Sequence, residues 1–398
     1  MREFVKMVVV LTSVVLVAAP HAPLSAQSGQ ATLPKDVDPG TRSRLPVLNR
    51  QDLDERGKKA YDAAVANSPS GPQGAAAIRL HQSGVDVRWE SPLGRALTEL
   101  AIIATAREHD QPYEWSLHEM EAVAVGLDPV VIDVIRHKKP LTGVSDREAA
   151  IIQMAREIFG KHKLSPETYA RALKLLGKSN LVDVVSLMAQ YAATATRLSA
   201  FNQQMPPGWK QFLPLPFTPP GDIHPDSRSR LPLIRTQTPA ALPRLYSRGL
   251  APEGTGPGQI GRHAGGIKSL EASVGRRLMS VAILVTAREH DEQYDWTTSE
   301  LAARKDGLEP AIIDVIRARK PLGGLGEKET TIVQFGRELF GRHHVSAETY
   351  ARALKIFGER DLVDFVGLMA EHANNAAMLT AFDQHLPAGQ EPLLLPMP

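Results

Sequence analysis

The 398-residue chain contains no cysteine. Disulfide bonds, thiol redox chemistry and cysteine-ligated zinc sites are therefore excluded. Without covalent cross-links, the folded state must rest on its apolar cores alone.

A large excess of charge of one sign is also lacking. The 46 basic and 44 acidic side chains leave a formal net charge of +2. Because nucleic-acid-binding domains carry clustered positive charge, we expect no nucleic-acid partner. Apolar residues make up 43% and charged residues 23% of the chain, which is usual for a soluble globular protein long enough for two domains.

Long hydrophobic runs are confined to the N-terminus. Arg2 and Lys6 precede an apolar run over 7–19, and small residues follow it. This order predicts a signal peptide over 1–26. The run is shorter than the about 20 residues that a membrane span needs, although an uncleaved anchor is the alternative. We expect an exported protein, periplasmic or extracellular, with no stable membrane span after cleavage.

One long segment of the chain occurs twice. REHDQPYEWSLHE, 107–119, returns 181 residues later as REHDEQYDWTTSE, 288–300, and roughly half of the positions over 101–200 are identical at that offset. A period this long indicates a duplicated domain and not a solenoid.

The ends of the two copies are marked by a second repeat and by proline. TRSRLP begins the first copy and SRSRLP the second. We predict domains over 41–212 and 227–393, joined by a proline-rich linker over 213–226, because proline cannot continue a helix.

Each copy is predicted to be all-α, with about six helices. No segment alternates with period two, whereas apolar residues recur at helical spacing. In the first copy the predicted starts are Ser91-Pro92, Pro112, Asp128-Pro129, Ser145 and Ser165-Pro166, the predicted stops are Gly126, Pro140 and Gly177, and the sixth helix follows Gly177.

The second predicted helix carries a histidine between two carboxylates. Glu114, His118 and Glu121 stand at i, i+4 and i+7 and share one face. A carboxylate beside a histidine fixes its tautomer and tunes its pKa, which suits proton transfer near neutral pH. The alternatives are a solvated helix face and a metal site through Glu114 and His118. Catalytic metal sites usually need three protein ligands, so we predict neither a metal nor another cofactor.

The run from TELAIIATAREHDQPYEWSLHEMEAVAVGLDPVVIDVIR to AFNQQMPPG resembles the carboxymuconolactone decarboxylase family of the AhpD-like superfamily. The resemblance covers nearly all of each copy. It implies a helical domain that assembles into homo-oligomers and binds a small organic acid or lactone.

In the hydroperoxidase branch of that superfamily, a Glu lies nineteen residues before a His, and two Cys lie between them. The resemblance places this Glu at Glu99 and the His at His118, while the Cys positions fall on Gln111 and Glu114. Peroxidase-type activity is the first alternative function, and the missing thiols disfavour it. Decarboxylase-type members also lack the thiols, which implies proton-transfer chemistry by His118, Glu99 and Glu114.

The second copy has lost this set of residues. Ser299 stands where the first copy has His118, and Ser280 where it has Glu99. Glu114 has become Asp295, whereas the surrounding REHD, Tyr and Trp are kept. We expect the first copy to be active and the second to be degenerate. A non-catalytic binding or assembly module is the remaining alternative.

Overall fold

A computed structural model describes residues 33–67, 71–215, 221–235 and 255–394, and every named secondary-structure element in them is a helix. Two isolated β-bridges are the only extended pairings among these residues. The predicted all-α class is therefore confirmed. None of the helices in the described ranges is both long and apolar enough to cross a bilayer. The predicted signal peptide, 1–26, lies outside the described residues.

The two copies contain similar successions of helices. After a short 3-10 turn (Arg50–Asp52), the first copy contains α1 (Glu55–Asn67), α2 (Ala75–Arg79), α3 (Val87–Glu90), α4 (Arg95–Glu108), α5 (Pro112–Ala124), α6 (Pro129–Arg136), α7 (Asp146–Ile158), α8 (Pro166–Leu176) and α9 (Lys178–Ala200). The second copy contains α10 (Gly256–Gly261), α11 (Ile267–Glu289), α12 (Gln293–Lys305), α13 (Pro310–Arg317), α14 (Glu327–Arg342) and α15 (Ala347–Ala381).

Two helices of the second copy are each bent at a glycine. Gly275 and Gly358 have φ of 77° and 76° within α11 and α15. Their counterparts Gly94 and Gly177 separate α3 from α4 and α8 from α9. A left-handed φ interrupts the helix, and glycine adopts it without steric cost. With these bends counted as boundaries, the copies match from α2 to α9 and from α10 to α15.

The predicted six helices correspond to α4–α9, with two boundaries corrected. The Ser145 capping box is present, and Ser165 caps α8. However, α4 begins at Arg95 and not at Ser91-Pro92, because the left-handed φ of 84° at Gly94 cannot be helical. Similarly, α6 ends at Arg136, well before Pro140, since Lys138 has a φ of 49°. The helices α1, α2 and α3 were not predicted, and of these α2 and α3 are too short to show a helical period.

The two copies share an apolar interface. The long helices α9 and α15 pack along each other. The apolar core of the first copy includes Met378 and Phe382 from the second, and the core of the second copy includes Leu198 and Phe201 from the first. A domain of this size gains most of its stability from such burial. The two copies therefore stabilise each other.

The arms that precede each copy are exchanged. The backbone N–H of Arg44, in the first arm, donates to the carbonyl of Phe382 at 2.8 Å. In the same way the N–H of Arg230 donates to the carbonyl of Phe201 at 2.9 Å. Each TRSRLP-type motif is thus bound to the C-terminal end of the other copy's long helix. This exchange brings α2 against α15 and α10 against α9.

Candidate functional site

Helices α4 and α5 bring Glu99 and His118 together. A three-residue turn joins the helices, and the Gln111 side chain caps α5 by accepting a bond from the Tyr113 N–H at 2.9 Å. The helices fold back on each other, and Nδ1 of His118 lies 2.7 Å from Oε2 of Glu99. Both side chains are buried. The contact that the sequence predicts is present, and the alternative of a solvated helix face is wrong.

Two arginines contact the carboxylates of Glu99 and Glu121. Arg88 lies on α3 and is buried. It donates to Glu99 at 3.0 Å and to Glu121 at 2.6 Å. Arg95 donates to the same two carboxylates at 2.7 and 2.9 Å. Two guanidinium groups thus face two carboxylates in a buried network. Because buried charges are costly unless they are paired, this balance is needed for the site to fold.

The network fixes the protonation of Glu99 and His118. Burial opposes the ionisation of Glu99, but His118, Arg88 and Arg95 together lower the pKa of its carboxyl to about 2. Burial also lowers the pKa of the His118 imidazole, although Glu99 acts in the opposite direction. An ionised Glu99 accepts the bond from Nδ1–H of a neutral His118. The second ring nitrogen, Nε2, then remains as a proton acceptor.

Glu114 lies in a different environment from Glu99. It is 2% exposed, and neither carboxyl oxygen has a hydrogen-bond partner among the described residues. Burial raises its pKa well above the usual value for a glutamate. Burial therefore favours the protonated, neutral form of Glu114, which lies one turn from His118. Buried polar groups without partners are rare in folded proteins and need a specific explanation.

A cavity of about 690 Å³ opens onto these side chains. His118 and Glu114 form part of its wall, together with Tyr113, Leu117 and Tyr191. Tyr191 lies edge-on to the His118 ring, with 4.9 Å between the ring centroids. The size and the mixture of apolar walls with a few polar groups are typical of a small-molecule site.

The cavity wall changes the interpretation of Tyr113. Its presence in both copies suggests a packing role, yet it lines the cavity and its hydroxyl lies 3.1 Å from Oγ1 of Thr255 in the second copy. Gly256 makes this approach possible, because a Cβ there would lie 2.7 Å from the Tyr113 hydroxyl. Trp115 has the expected packing role: it is fully buried and donates to Glu119.

The corresponding place in the second copy is differently built. Asp295, the counterpart of Glu114, lies 2.7 Å from Nδ1 of His372 and accepts a bond from Ser299 at 3.1 Å. His372 is the counterpart of Tyr191 at the repeat offset of 181 residues. The second copy therefore has a histidine–carboxylate pair, but on different helices from the pair in the first. Neither His372 nor Asp295 lines the 690 Å³ cavity.

One group of three side chains has the spacing of metal ligands. Glu99, His118 and Glu121 each offer a ligand atom, and these atoms lie within 4.8 Å of one another. The set differs from the pair Glu114 and His118 considered from the sequence. Arg88 and Arg95 already contact both carboxylates. A divalent cation would have to displace two guanidinium groups, so the charge balance disfavours it.

Arg88, Arg95 and Tyr191 were not predicted as site residues. For two of them a signal was available: at the offset of 181 residues Arg88 corresponds to Ser269 and Tyr191 to His372. Both are thus replaced in the copy that lacks the Glu99–His118 pair. Arg95 has no such signal, because the second copy keeps an arginine at Arg276.

Comparisons with known proteins add nothing to this description, since no family model, curated protein or solved structure matches the chain.

Proposed function

We propose that the chain is an exported, tandem carboxymuconolactone decarboxylase-like protein of the AhpD-like superfamily, whose first copy transfers protons on a small organic acid or lactone without a cofactor. The hydrogen bond between Glu99 and His118 at the wall of a ligand-sized cavity carries this proposal. The motif resemblance supplies the family, and the geometry supports the chemistry.

The protonation states of the site support a division of roles. His118 is neutral and oriented by the Glu99 carboxylate, so its Nε2 serves as the general base. Burial raises the pKa of Glu114 and so favours its protonated form, which suits it to serve as the general acid. Two titratable groups whose pKa values are separated by their environments are typical of acid–base catalysis.

This pair suits decarboxylation of an acid whose carboxyl group lies β to a carbonyl group, directly or through a conjugated double bond. When the C–C bond to CO2 breaks, its electron pair remains on the substrate as an enolate. Glu114 then donates its proton to the enolate carbon and is reprotonated from water. For a lactone, His118 would instead remove a proton next to the carbonyl group, and Glu114 would return one elsewhere in the conjugated system. Both routes need no electron donor or acceptor.

A peroxidase function has no support at the site. Reduction of a peroxide by this superfamily depends on two thiols, and their positions are held by Gln111 and Glu114. Gln111 instead caps α5 and donates to Ser199 at 3.1 Å.

The test is turnover of a panel of unsaturated lactone acids and β-keto acids, followed by mass spectrometry and by release of CO2. We expect His118→Ala to lower the rate on any accepted substrate by about 10²–10⁴-fold, as is usual for loss of a general acid or base. Ser299→Ala changes the corresponding residue of the second copy and should leave the rate unchanged. Full activity in His118→Ala would refute the proposal and favour the non-catalytic binding module.

A further inference from the structure

The 690 Å³ cavity lies where the two copies meet. Gln190 and Glu371 are equivalent residues of α9 and α15, and both line it. Ala193 and Asn374 form a second equivalent pair in its wall. From this junction the cavity extends into the first copy only, as far as His118. The second copy therefore supplies part of the wall of a site whose reactive groups belong to the first.

One substitution distinguishes the two sides of the junction. Arg79, at the end of α2, corresponds to Gly261 at the end of α10, 182 residues later. The offset is supported by matching contacts: Gly74 packs on Tyr294 as Gly256 packs on Tyr113. Because the arms are exchanged, Gly261 faces the first copy's site and leaves it open. Arg79 reaches across to the second copy's long helix.

Arg79 has an unusual set of partners for a largely buried arginine. Its Nη2 donates to the side-chain oxygens of Asn374 and Asn375 at 2.6 and 2.5 Å. These amides are neutral. Among the described residues, no carboxylate oxygen forms an ion pair with the Arg79 guanidinium at 4.0 Å or less. Burial lowers the pKa of Arg79, and Glu371 acts in the opposite direction from beyond ion-pair distance. The asparagines hold the guanidinium in place without neutralising it.

The remaining charges of the wall leave it suited to an anion. Arg197 is a second cation in the wall. Glu371 is exposed and is the nearby anion, while burial of Glu114 favours its uncharged form. The N–H groups of Arg79 that do not contact the asparagines can bind a carboxylate through two parallel hydrogen bonds. The unpartnered carboxyl of Glu114 in the wall of the same cavity offers a second polar contact for the same ligand.

We propose that Arg79, held by Asn374 and Asn375 of the second copy, determines specificity by binding a carboxylate of the ligand at the junction. The rest of the ligand then extends towards His118 and Glu114. This inference rests on the proposed function for the reaction but not for binding. It gives the degenerate copy a role, which is to position the residue that selects the substrate.

The test compares adipate with dimethyl adipate by isothermal titration calorimetry on the full chain. The two probes share a six-carbon skeleton and differ in charge. We expect the wild-type protein to prefer adipate. Arg79→Gln should weaken adipate binding by about tenfold to a hundredfold, since it loses charge-assisted hydrogen bonds, and should leave binding of the diester unchanged. Arg79→Lys should retain part of the preference.

Two further variants complete the design. Arg171→Gln, which removes an exposed arginine paired with Asp146, should bind both probes as the wild type does. His118→Ala should keep the preference for adipate, so loss of turnover and loss of anion recognition are read separately. Equal binding of the two probes by the wild type, no binding of either, or an unchanged adipate affinity in Arg79→Gln would each overturn the proposal.

Discussion

Replacement of Glu99 by glutamine tests how the site is held together. Glu99 is fully buried and accepts bonds from Arg88, Arg95 and His118, at 3.0, 2.7 and 2.7 Å. Glutamine keeps the shape of the side chain but removes its charge. Its amide group also presents N–H donors, which cannot accept a bond from a guanidinium or from Nδ1–H of the histidine.

The size of the effect follows from the charges left behind. In Glu99→Gln, two guanidinium groups share the single carboxylate of Glu121. Removal of one partner from a buried ion pair costs about 3–5 kcal/mol. The Arg88 side chain is fully buried and cannot reach water. The Arg95 side chain is 22% exposed, so in the variant it can turn towards water. We therefore expect a loss near the lower limit, about 3 kcal/mol of unfolding free energy.

Urea unfolding followed by circular dichroism measures this loss as a lower midpoint. The matched control is Ser280→Ala, which changes the counterpart of Glu99 in the second copy and should cost less than about 1 kcal/mol. The double variant Glu99→Gln with Arg88→Met removes the Arg88 guanidinium together with the Glu99 carboxylate. It should be more stable than Glu99→Gln alone. Equal midpoints for Glu99→Gln and Ser280→Ala, or a double variant less stable than the sum of the single changes, would refute the reasoning.

Two other predictions concern the junction of the copies. Burial lowers the pKa of His109 to about 3 and that of His290 to about 4. Below about pH 6.5 these two histidines therefore bind protons in the unfolded state but not in the folded state. The midpoint of urea unfolding should fall from pH 7 to pH 4.5, and the fall should be smaller in His109→Gln/His290→Gln. A midpoint independent of pH would contradict this prediction. Gly261→Arg, whose Cβ would meet nothing within 4 Å, should fold normally and weaken binding of both adipate and its diester by filling the cavity; unchanged binding in calorimetry would show that Gly261 does not keep the site open.

The secondary structure was predictable because its signals are local. Ser145 and Ser165 cap their helices through residues three positions away, so the sequence alone contains the signal. The two wrong boundaries, at Ser91 and Pro140, have a local cause as well. A serine or proline is compatible with a helix end, but a left-handed residue nearby decides where the helix stops.

The site was predictable only in part. His118 was found from its spacing to two carboxylates on one helix face, and Glu99 from the resemblance to the hydroperoxidase branch. The replacement of both residues in the second copy then supported the pair. Arg88 lies on a four-residue helix with no detectable period. Gly261 of the second copy lines the first copy's site because the arms are exchanged between the copies. No spacing within one copy encodes that exchange, because it arises from tertiary packing.

The two copies differ in how the buried carboxyl group at position 114, or its counterpart 295, is hydrogen-bonded. In the second copy Asp295 is satisfied by His372 and by Ser299, at 2.7 and 3.1 Å. In the first copy Glu114 has neither partner, although the fold evidently accommodates a histidine where Tyr191 stands. An unsatisfied buried group costs about 1–3 kcal/mol. The copy that has lost its Glu99–His118 pair has gained hydrogen bonds that remove this cost. The copy that keeps the pair still bears it, which is expected if the free carboxyl of Glu114 is needed for a ligand.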